Sequence, residues 1–260
     1  MSYILVDVVG TFHWGFSIQS PEASKAQLPL SVPPPTTLVG ALSYPMFRTY
    51  EAYQGETFIQ EGKLYSTAKL LYDFIECTSI AFEGEYSGYP WQDTSKLVTV
   101  VWHYHRKDRR GVPKYETGAL PTGKVYTQGR AKIIYVLQKG FVGKEKLESA
   151  AWQITRIGSK ESIFSVEKVR VSEAEPKVTE GKIKTRFYFP MELAREGGIY
   201  QKYFLQEFWI GGYSEGKVRK QIYVVPGQQS PLDSYIIDVE PRRKVKYYVS
   251  DGDIVLAGFG

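Results

Sequence analysis

Three consecutive prolines at positions 33–35 constrain the fold of this 260-residue chain more than any other short segment. Each proline fixes its own φ angle, removes a backbone N–H donor and favours extended geometry in the residue before it. Thr36 and Thr37 follow as candidate N-cap residues, and an apolar run continues from them. The segment therefore predicts a stiff extended arm that leads into a helix over residues 37–44, which Pro45 is expected to kink or end.

Hydrophobic patterning on both sides of this arm predicts an α+β chain. Apolar and β-branched runs are typical of strands, whereas apolar residues three and four positions apart are typical of helices. The main elements of the first two thirds run strand, helix, strand, strand, helix, strand, which is the order of a ferredoxin-like or RRM-type βαββαβ unit. Strands are expected over residues 3–9, 77–82, 96–105, 133–137 and 163–171, and helices over 37–44, 61–74 and 144–154.

The length of the chain allows one large domain or two small ones, and its composition changes near residue 172. The segment over residues 172–182 is polar and turn-rich, which is typical of a boundary. We therefore expect a ferredoxin-like domain over residues 1–172, with a basic thumb insertion at about 95–132. A smaller β-rich region is expected over residues 173–260, with short strands near 184–189, 203–210, 218–225, 235–239, 244–249 and 254–256.

Positive charge is concentrated in the expected thumb. The whole chain has a net charge of +5, whereas residues 95–132 hold nine Lys or Arg and two acids, a net of +7, so the rest sums to −2. Lys and Arg neutralise phosphates and gain from counterion release, and the interleaved Tyr and His offer stacking surfaces to unpaired bases. The segment predicts a nucleic-acid contact, with a solvated charged loop as the alternative.

The turn over residues 154–162 is a second candidate for binding an anion. A glycine turns the chain between a helix and a strand, and Arg156, Ser159 and Lys160 lie around it. Backbone amides in such a turn can face a phosphate. A plain helix-to-strand connection is the alternative, and the spacing alone favours that alternative.

Nothing in the sequence indicates a cofactor, a metal or a membrane partner. Cys77 is the single cysteine, so no disulfide forms within the chain, and a cytoplasmic location is expected. The first ten residues are typical of a strand and not of a signal peptide, and no apolar run reaches about 18 residues. Walker, dinucleotide and metalloprotease motifs are absent. Few Cys and Met with abundant Glu, Lys and Tyr favour a thermophilic source.

Residues 15–47, GFSIQSPEASKAQLPLSVPPPTTLVGALSYPMF, resemble the N-terminal signature of the Cas five family of CRISPR-associated proteins, within the RAMP superfamily. Two further segments, GKVYTQGRAKIIYVL at 123–137 and ITRIGSKESIFSVEKV at 154–169, are similar to the archaeal, type I-A branch. The resemblance covers most of residues 2–171 and is thin after Lys182.

The resemblance implies a non-catalytic subunit of the Cascade antiviral interference complex. Members have a ferredoxin-like domain with a protruding thumb, and most have a smaller β-rich C-terminal part. They cap the 5′ handle of the CRISPR RNA and contact the first Cas seven family backbone subunit and the large subunit. The type I-C branch instead cleaves precursor CRISPR RNA, whereas the type I-A branch leaves that step to a separate nuclease.

The resemblance also suggests which residues bind RNA. The amides and positive dipole end at the start of the first helix suit a phosphate, and the alternative is that the prolines only pack a loop against the sheet. The expected RNA-binding residues are Lys25, Tyr44 and Arg48 around that helix start, His103, His105, Arg106, Lys107, Arg109, Arg110, Lys114 and Lys124 in the thumb, Arg130 and Lys132 at its base, and Arg156, Ser159 and Lys160 in the turn.

Two other classes of function stay open at this point. A metal-independent endoribonuclease would use Tyr44 or Tyr104, His103 or His105 as acid or base, and Lys107 to stabilise the transition state. A protein-interaction subunit would place the basic loop against an acidic partner and would not bind RNA alone. RNA binding and RNA cleavage both need basic and aromatic groups near the handle, so the sequence separates them poorly.

Overall fold

The computed structural model describes residues 2–19, 29–48, 57–83, 88–100, 116–127, 129–211 and 219–260, which form a mostly β protein with few helices. The expected α+β class is confirmed at this level. The elements up to residue 174 are β1 (Tyr3–Phe12), β2 (Gly15–Phe16), α1 (Pro35–Phe47), β3 (Thr57–Gln60), β4 (Lys63–Ser66), α2 (Ala68–Tyr72), β5 (Ile75–Glu83), β6 (Tyr89–Val100), β7 (Glu116–Tyr126), β8 (Arg130–Gln138), α3 (Lys144–Trp152) and β9 (Phe164–Ala174).

Four of these strands form an antiparallel sheet in the order β5, β8, β1, β9. β1 lies inside the sheet and pairs with β8 from Tyr3 opposite Gln138 to Thr11 opposite Arg130. Nearly every residue of β1 and β8 is buried. A strand that is buried on both faces has a continuous apolar run, which is why these two strands could be predicted from the sequence.

The helices α1 and α3 cover one face of this sheet. Leu38 and Leu42 of α1 and Leu147 of α3 are at most 1% exposed and belong to one core cluster with Tyr135 of β8. The Tyr135 hydroxyl donates a hydrogen bond to the Leu38 carbonyl at 3.0 Å, so the polar end of this buried ring is satisfied. Within the described ranges, no helix is long and apolar enough to cross a bilayer.

The rest of the chain forms short strands arranged in small sheets. Three sheets have three strands each, in the orders β10–β19–β20, β11–β18–β13 and β12–β15–β14, and β16 pairs with β17. A turn of 3-10 helix spans Met191–Leu193. The strands are β10 (Lys177–Thr179), β11 (Ile183–Thr185), β12 (Phe189–Pro190), β13 (Ala194–Ile199), β14 (Tyr203–Ile210), β15 (Arg219–Pro226), β16 (Gln228–Gln229), β17 (Leu232–Asp233), β18 (Ile237–Pro241), β19 (Val245–Ser250) and β20 (Asp253–Phe259).

This β-rich region covers the sheet face opposite the helices. Tyr3, Leu5 and Val136 on that face pack with Tyr248 and Val255 of the last two strands. The Tyr3 and Tyr248 rings meet edge to face with their centroids 5.3 Å apart. RRM domains stack bases on the open face of their sheet. Because C-terminal side chains occupy that face here, it is not open for stacking of this kind.

The β-rich region also contributes to the core beneath the helices. Tyr188, Phe208 and Tyr223 belong to the same cluster as the α1 and α3 side chains, and their ring centroids lie 5.0–5.5 Å apart. The expected boundary over residues 172–182 is largely strand, because β9 runs to Ala174 and β10 begins at Lys177. The division of the chain at residue 172 stays a prediction.

The helix expected over residues 61–74 is wrong in its first half. β3 and β4 form a hairpin in which Gln60 lies opposite Lys63, and the two residues between them, Glu61 and Gly62, have φ angles of 51° and 74°. Two central residues with positive φ are typical of a type I′ turn, whose twist matches a two-residue hairpin. The turn prevents a helix in the first half of the segment, although the apolar residues have helical spacing. Only the short helix α2 forms in the second half.

α1 differs from its expected bounds at both ends. It begins at Pro35 with Pro34 as its N-cap and no side-chain cap, so both threonines lie inside the helix. Proline suits the first helical position because its φ is preset and the missing N–H has no partner within the helix. The helix also continues through Pro45 to Phe47, and burial of Leu42 and Phe47 stabilises this last turn.

Candidate nucleic-acid interface

The proline arm packs against the β-rich region and does not open the start of α1 to a ligand. Residues 29–35 are buried. The Ser31 amide donates to Gln206 Oε1 at 3.5 Å, and Gln229 Nε2 donates to the Ser31 hydroxyl at 3.0 Å. At the helix start, the Thr37 amide donates to the Pro34 carbonyl. The expectation of a phosphate site at this helix start is therefore corrected. The prolines belong to a loop that packs against the rest of the protein, as the alternative interpretation of the sequence proposed.

Tyr44 and Arg48 lie at the opposite end of α1 from the one where they were expected. Arg48 is the C-cap residue, and its amide donates to the Tyr44 carbonyl at 3.0 Å. The 13 residues of the helix, at about 1.5 Å each, place its two ends roughly 20 Å apart. The helix dipole favours a cation at a helix C-terminus. The position of Arg48 is therefore explained by the dipole, and no phosphate bound at the N-terminus of α1 is needed to account for it.

The last turns of α1 and α3 bring cations and rings together in what we call the α1–α3 corner, formed by Tyr44, Arg48, Trp152, Gln153 and Arg156. Arg48 Nη2 donates to Gln153 Oε1 at 2.7 Å, and the Arg156 guanidinium carbon lies 5.6 Å from the Tyr44 ring centroid. Tyr44 is 36% exposed and Trp152 is 47% exposed. The corner therefore presents two guanidinium groups beside two accessible rings, which suits phosphates and unstacked bases.

The turn after α3 is held by its own hydrogen bonds. Gly158 has a φ of 113°, which only glycine adopts readily. The Ser159 amide donates to the Ser17 carbonyl at 3.1 Å, and the Ser159 and Ser162 hydroxyls lie 3.1 Å apart. Ser159 is therefore corrected from a phosphate ligand to a structural residue, whereas Lys160 is exposed.

Four aromatic rings lie where the hairpin of β6 and β7 begins, and we call them the aromatic base: the exposed Tyr89, Trp91 and Tyr126 and the half-buried Trp14. Tyr89 pairs with Tyr126, and Trp91 pairs with Lys124. Residues two apart on a strand, and direct cross-strand partners, project from the same face. Tyr89, Trp91 and Tyr126 are 53%, 57% and 38% exposed, so one face of the hairpin offers several rings for stacking.

Lys124 lies among these rings but is not an open cation. Its Nζ is 3.2 Å from Glu161 Oε2 and 5.4 Å from the Trp14 ring centroid, and its side chain is 12% exposed. Lys124 was expected to contact RNA from the thumb. It is instead a residue that joins the hairpin to the 154–162 turn. The pairing also shows that the turn and the aromatic base belong to one surface.

Gly15 fixes β2 against β7 at this base. Its φ is 128°, and a Cβ atom built on it would lie 1.8 Å from the Val125 carbonyl oxygen. We expect Gly15→Ala to lower the free energy of unfolding by roughly 2–4 kcal/mol, because strain and a backbone clash add together. Gly62→Ala, with a φ of 74° and no atom within 4 Å, is expected to cost only about 1–2 kcal/mol. Urea unfolding of both variants checks this, and equal costs would contradict the close approach of β2 to β7.

Arg130 and Lys132 belong to the central strand β8 and not to the base of a thumb. Arg130 Nε lies 2.9 Å from Glu167 Oε2 and 3.7 Å from Glu83 Oε2. Lys132 is 4% exposed and its Nζ lies 2.9 Å from Asp253 Oδ2. Acids distant in sequence thus pair with both cations, and Lys132 is corrected from an RNA ligand to part of a buried ion network.

The same network fixes the charge of Asp253. Burial raises the pKa of this carboxyl, whereas the hydrogen bonds and positive charges of Arg186 and Lys132 lower it. Their combined effect is larger than that of burial, so the pKa lies below its ordinary value. Arg186 donates to both Asp253 oxygens at 2.8 Å. The carboxylate is therefore ionised at neutral pH and holds the β19–β20 turn against the four-stranded sheet.

The remaining expected residues lie outside the described residues: Lys25, His103, His105, Arg106, Lys107, Arg109, Arg110 and Lys114. The strands that lead to the 101–115 segment are described, and they pair from Tyr89 opposite Tyr126 to Val100 opposite Glu116. The twelve residues of β6, at about 3.3 Å each, span roughly 40 Å. The basic segment is therefore joined to a long two-stranded hairpin.

Apart from Tyr44, the exposed rings of the interface were missed at the sequence level. Their signal was present for Tyr89 and Trp91, which alternate with other residues as on a strand with one open face. The role of Trp152 could not be read in this way, because it depends on α1 and α3 ending side by side. Of the residues expected to bind RNA, Tyr44, Arg48, Arg156 and Lys160 remain candidates on this surface.

The comparisons with known proteins lead to CRISPR-associated proteins. No family model matches the chain. Two curated proteins of Saccharolobus solfataricus, named CRISPR-associated protein Cas5 3 and CRISPR system aCascade subunit Cas5 1, are each 39% identical over 237 residues, which cover 88% of this chain and 90% of theirs. The chain belongs to the CRISPR-associated Cas5 family, which confirms the resemblance to the Cas five family.

A solved structure supports the fold alone. The crystal structure of a CRISPR protein from Archaeoglobus fulgidus matches with a TM-score of 0.60 and covers 99% of this chain and 100% of that one. The two sequences are 19% identical. The structural match extends across the β-rich region as well.

Proposed function

We propose that this protein is a non-catalytic, CRISPR RNA-binding subunit of a cytoplasmic type I-A Cascade complex. In this role it caps the 5′ handle of the CRISPR RNA and contacts the Cas seven family backbone subunit and the large subunit. Family membership supports the CRISPR assignment, and one relative is itself named an aCascade subunit. The observation that carries the RNA-binding role is the surface that combines the α1–α3 corner with the aromatic base.

The chemistry of this surface suits a single strand. Arg48, Arg156 and Lys160 supply cations for the phosphates, and Tyr44 and Trp152 beside them supply faces for unstacked bases. Stacking on aromatic rings is tolerant of sequence, so handle selectivity in this proposal comes from how the bases are splayed along the hairpin. The charge-rich 101–115 segment extends the same basic character.

We also propose that residues 1–172 form a ferredoxin-like domain. The chain passes from the inner strand β1 through α1 to the edge strand β5, back to β8 beside β1, and through α3 to the other edge strand β9. This path and strand order support the βαββαβ class. The β6–β7 hairpin is then an insertion between the second and third strands, which is the position expected for a thumb.

Binding and cleavage of a labelled repeat RNA, measured together in EDTA across a salt series, test the proposal. We expect intact RNA and an affinity that falls with salt, with a log–log slope of about −0.7 for each phosphate contacted on a single strand. An RNA of equal length with a scrambled handle controls for non-specific binding.

Two outcomes would contradict the proposal. A discrete cut that is lost when His103 and His105 are replaced would make the protein a processing endoribonuclease. An affinity that is unmeasurable at low salt would favour a subunit that only contacts proteins.

A further inference from the structure

A cavity of about 330 Å³ lies in the β-rich region, away from the elements that form the proposed interface. Its lining consists of Glu192, Arg242, Arg243 and Phe259. Its volume lies at the lower end of the range of ligand sites in proteins, which start at about 300 Å³. The elements that supply it are the 3-10 turn, the turn between β18 and β19, and the end of β20.

The backbone around this cavity is fixed by hydrogen bonds. The Arg242 amide donates to the Leu193 carbonyl at 2.9 Å, which joins the β18–β19 turn to the 3-10 turn. Val245 pairs with Phe259 across the last two strands. The lining side chains are thus carried by ordered elements that are already in place without a ligand.

Arg243 is placed as a platform for a planar group. Its guanidinium carbon lies 3.8 Å from the centroid of the Phe259 ring, which is the distance of close stacking. A guanidinium that rests on a ring can still donate hydrogen bonds from its edge, and its other face can carry a base. Among the described residues, neither Arg242 nor Arg243 has an ion pair.

Glu192 determines which kind of ligand fits. Its Oε1 accepts a hydrogen bond from Gln221 Nε2 at 3.1 Å, and its other oxygen can accept a second. An Asp or Glu side chain would offer an anion for Arg242, but it would offer no planar face to Arg243 and no hydrogen-bond donor to Glu192. A nucleotide offers a phosphate for Arg242, a planar base for Arg243 and base N–H groups for Glu192.

We propose that this cavity binds one nucleotide of a single-stranded nucleic acid, as a second site separate from the α1–α3 corner and the aromatic base. The phosphodiester pairs with Arg242, the base stacks on the Arg243 guanidinium, and Glu192 accepts a hydrogen bond from the base edge. This site goes beyond handle capping, and its existence does not depend on the proposed function.

Photo-crosslinking tests the site with the full-length protein. The probes are 12-residue RNA and DNA strands of one sequence that contain 5-iodouridine or 5-iododeoxyuridine, and crosslinked peptides are mapped by mass spectrometry. We expect crosslinks in the peptides that carry the cavity lining, which contain Glu192, Arg242 with Arg243, and Phe259. Crosslinks with RNA alone would assign the site to RNA, crosslinks with DNA alone to DNA, and crosslinks with both to the shared nucleotide chemistry.

Affinity measurements on variants complete the test. Arg243→Ala is expected to weaken strand binding roughly tenfold, because it removes the platform on which one base stacks. Arg242→Ala is expected to reduce the salt slope by about 0.7. Lys177→Ala removes an exposed charge of the same region from outside the cavity and is expected to change little.

Several results would overturn the nucleotide site. The absence of a crosslink in all of the peptides that carry the cavity lining, or an unchanged affinity in the Arg242→Ala/Arg243→Ala double variant, would refute it. Displacement of the strand from the cavity by polyglutamate at equal charge concentration would assign the cavity to an acidic protein. Crosslinks confined to Tyr89, Trp91 and Tyr126 would support the proposed function and refute the second site, so the two proposals fail separately.

Discussion

The Lys132→Met variant is expected to be less stable than the wild type by about 3–5 kcal/mol in its free energy of unfolding. Lys132 is buried in the centre of the protein, with Asp253 at 2.9 Å and Asp7 Oδ1 at 3.9 Å from its Nζ. Methionine has a similar length and is apolar, so the change removes the charge with little loss of volume. The carboxylates then stay buried with less positive charge around them. A buried charge that has lost its partner strongly destabilises the folded state.

Asp7 determines much of this cost. Its Oδ2 accepts from Arg170 Nη2 at 2.9 Å, whereas its buried Oδ1 has no hydrogen-bond partner. Lys132 is the cation on the Oδ1 side. Arg170 and Arg186 still neutralise part of the network in the variant, so the protein is expected to fold and to melt at a lower temperature.

Urea unfolding measures this difference, with Lys139→Met as the matched control. Lys139 also pairs with an acid, Glu173 at 3.0 Å, but both side chains are about half exposed. Exposed pairs contribute about 0–1 kcal/mol, so the control should be nearly neutral. A Lys132→Met cost below 1 kcal/mol would show that the network does not hold the β-rich region against the sheet.

The pH dependence of stability provides a second readout of the same network. The pKa of Asp253 is lowered from its ordinary value of 3.8 in the folded protein. A carboxyl with a lowered folded pKa contributes stability above its unfolded pKa and loses it as the pH falls through the folded value. The wild type is therefore expected to lose this contribution below about pH 4.

The central elements of the fold were predictable because local patterning determines them. β1 and β8 are buried on both faces, so their apolar runs are continuous, and α3 shows apolar residues at helical spacing. The β3–β4 hairpin was not predicted, because the φ angles of Glu61 and Gly62 outweigh a helical spacing that looked acceptable. In this segment the geometry of the turn, and not the helical spacing of the apolar residues, determines the structure.

The interface was only partly predictable, because a cluster of positive residues in the sequence does not show which of these residues are paired with acids in the folded protein. Lys124, Arg130 and Lys132 raised the apparent charge of the thumb, yet each pairs with an acid at least 35 residues away. Arg48 and Arg156 were found from the sequence as separate candidates. Their proximity depends on how α1 and α3 end, which tertiary packing decides and local sequence does not.

Reversing the two charges of the α1–α3 corner, with Arg48→Glu and Arg156→Glu together, is expected to weaken binding of the handle RNA by roughly 100-fold or more. Hydrogen bonds to charged groups contribute about 1.5–3 kcal/mol each, and two are lost. Glutamate adds repulsion to the phosphates as well. The effect is electrostatic, so the difference from the wild type should shrink as the salt concentration rises.

The matched control reverses two exposed lysines of the β-rich region, Lys177→Glu and Lys184→Glu, which changes the net charge equally. Fluorescence anisotropy over a salt series measures both double variants, and thermal unfolding verifies that each is folded. A glutamate at the Arg48 position also opposes the α1 dipole, at a cost of about 0.3–1 kcal/mol, so the corner variant should melt slightly earlier. Equal losses of affinity in the two variants would mean that net charge, and not the corner, attracts the RNA. An unchanged affinity in the corner variant would place the handle on the hairpin alone.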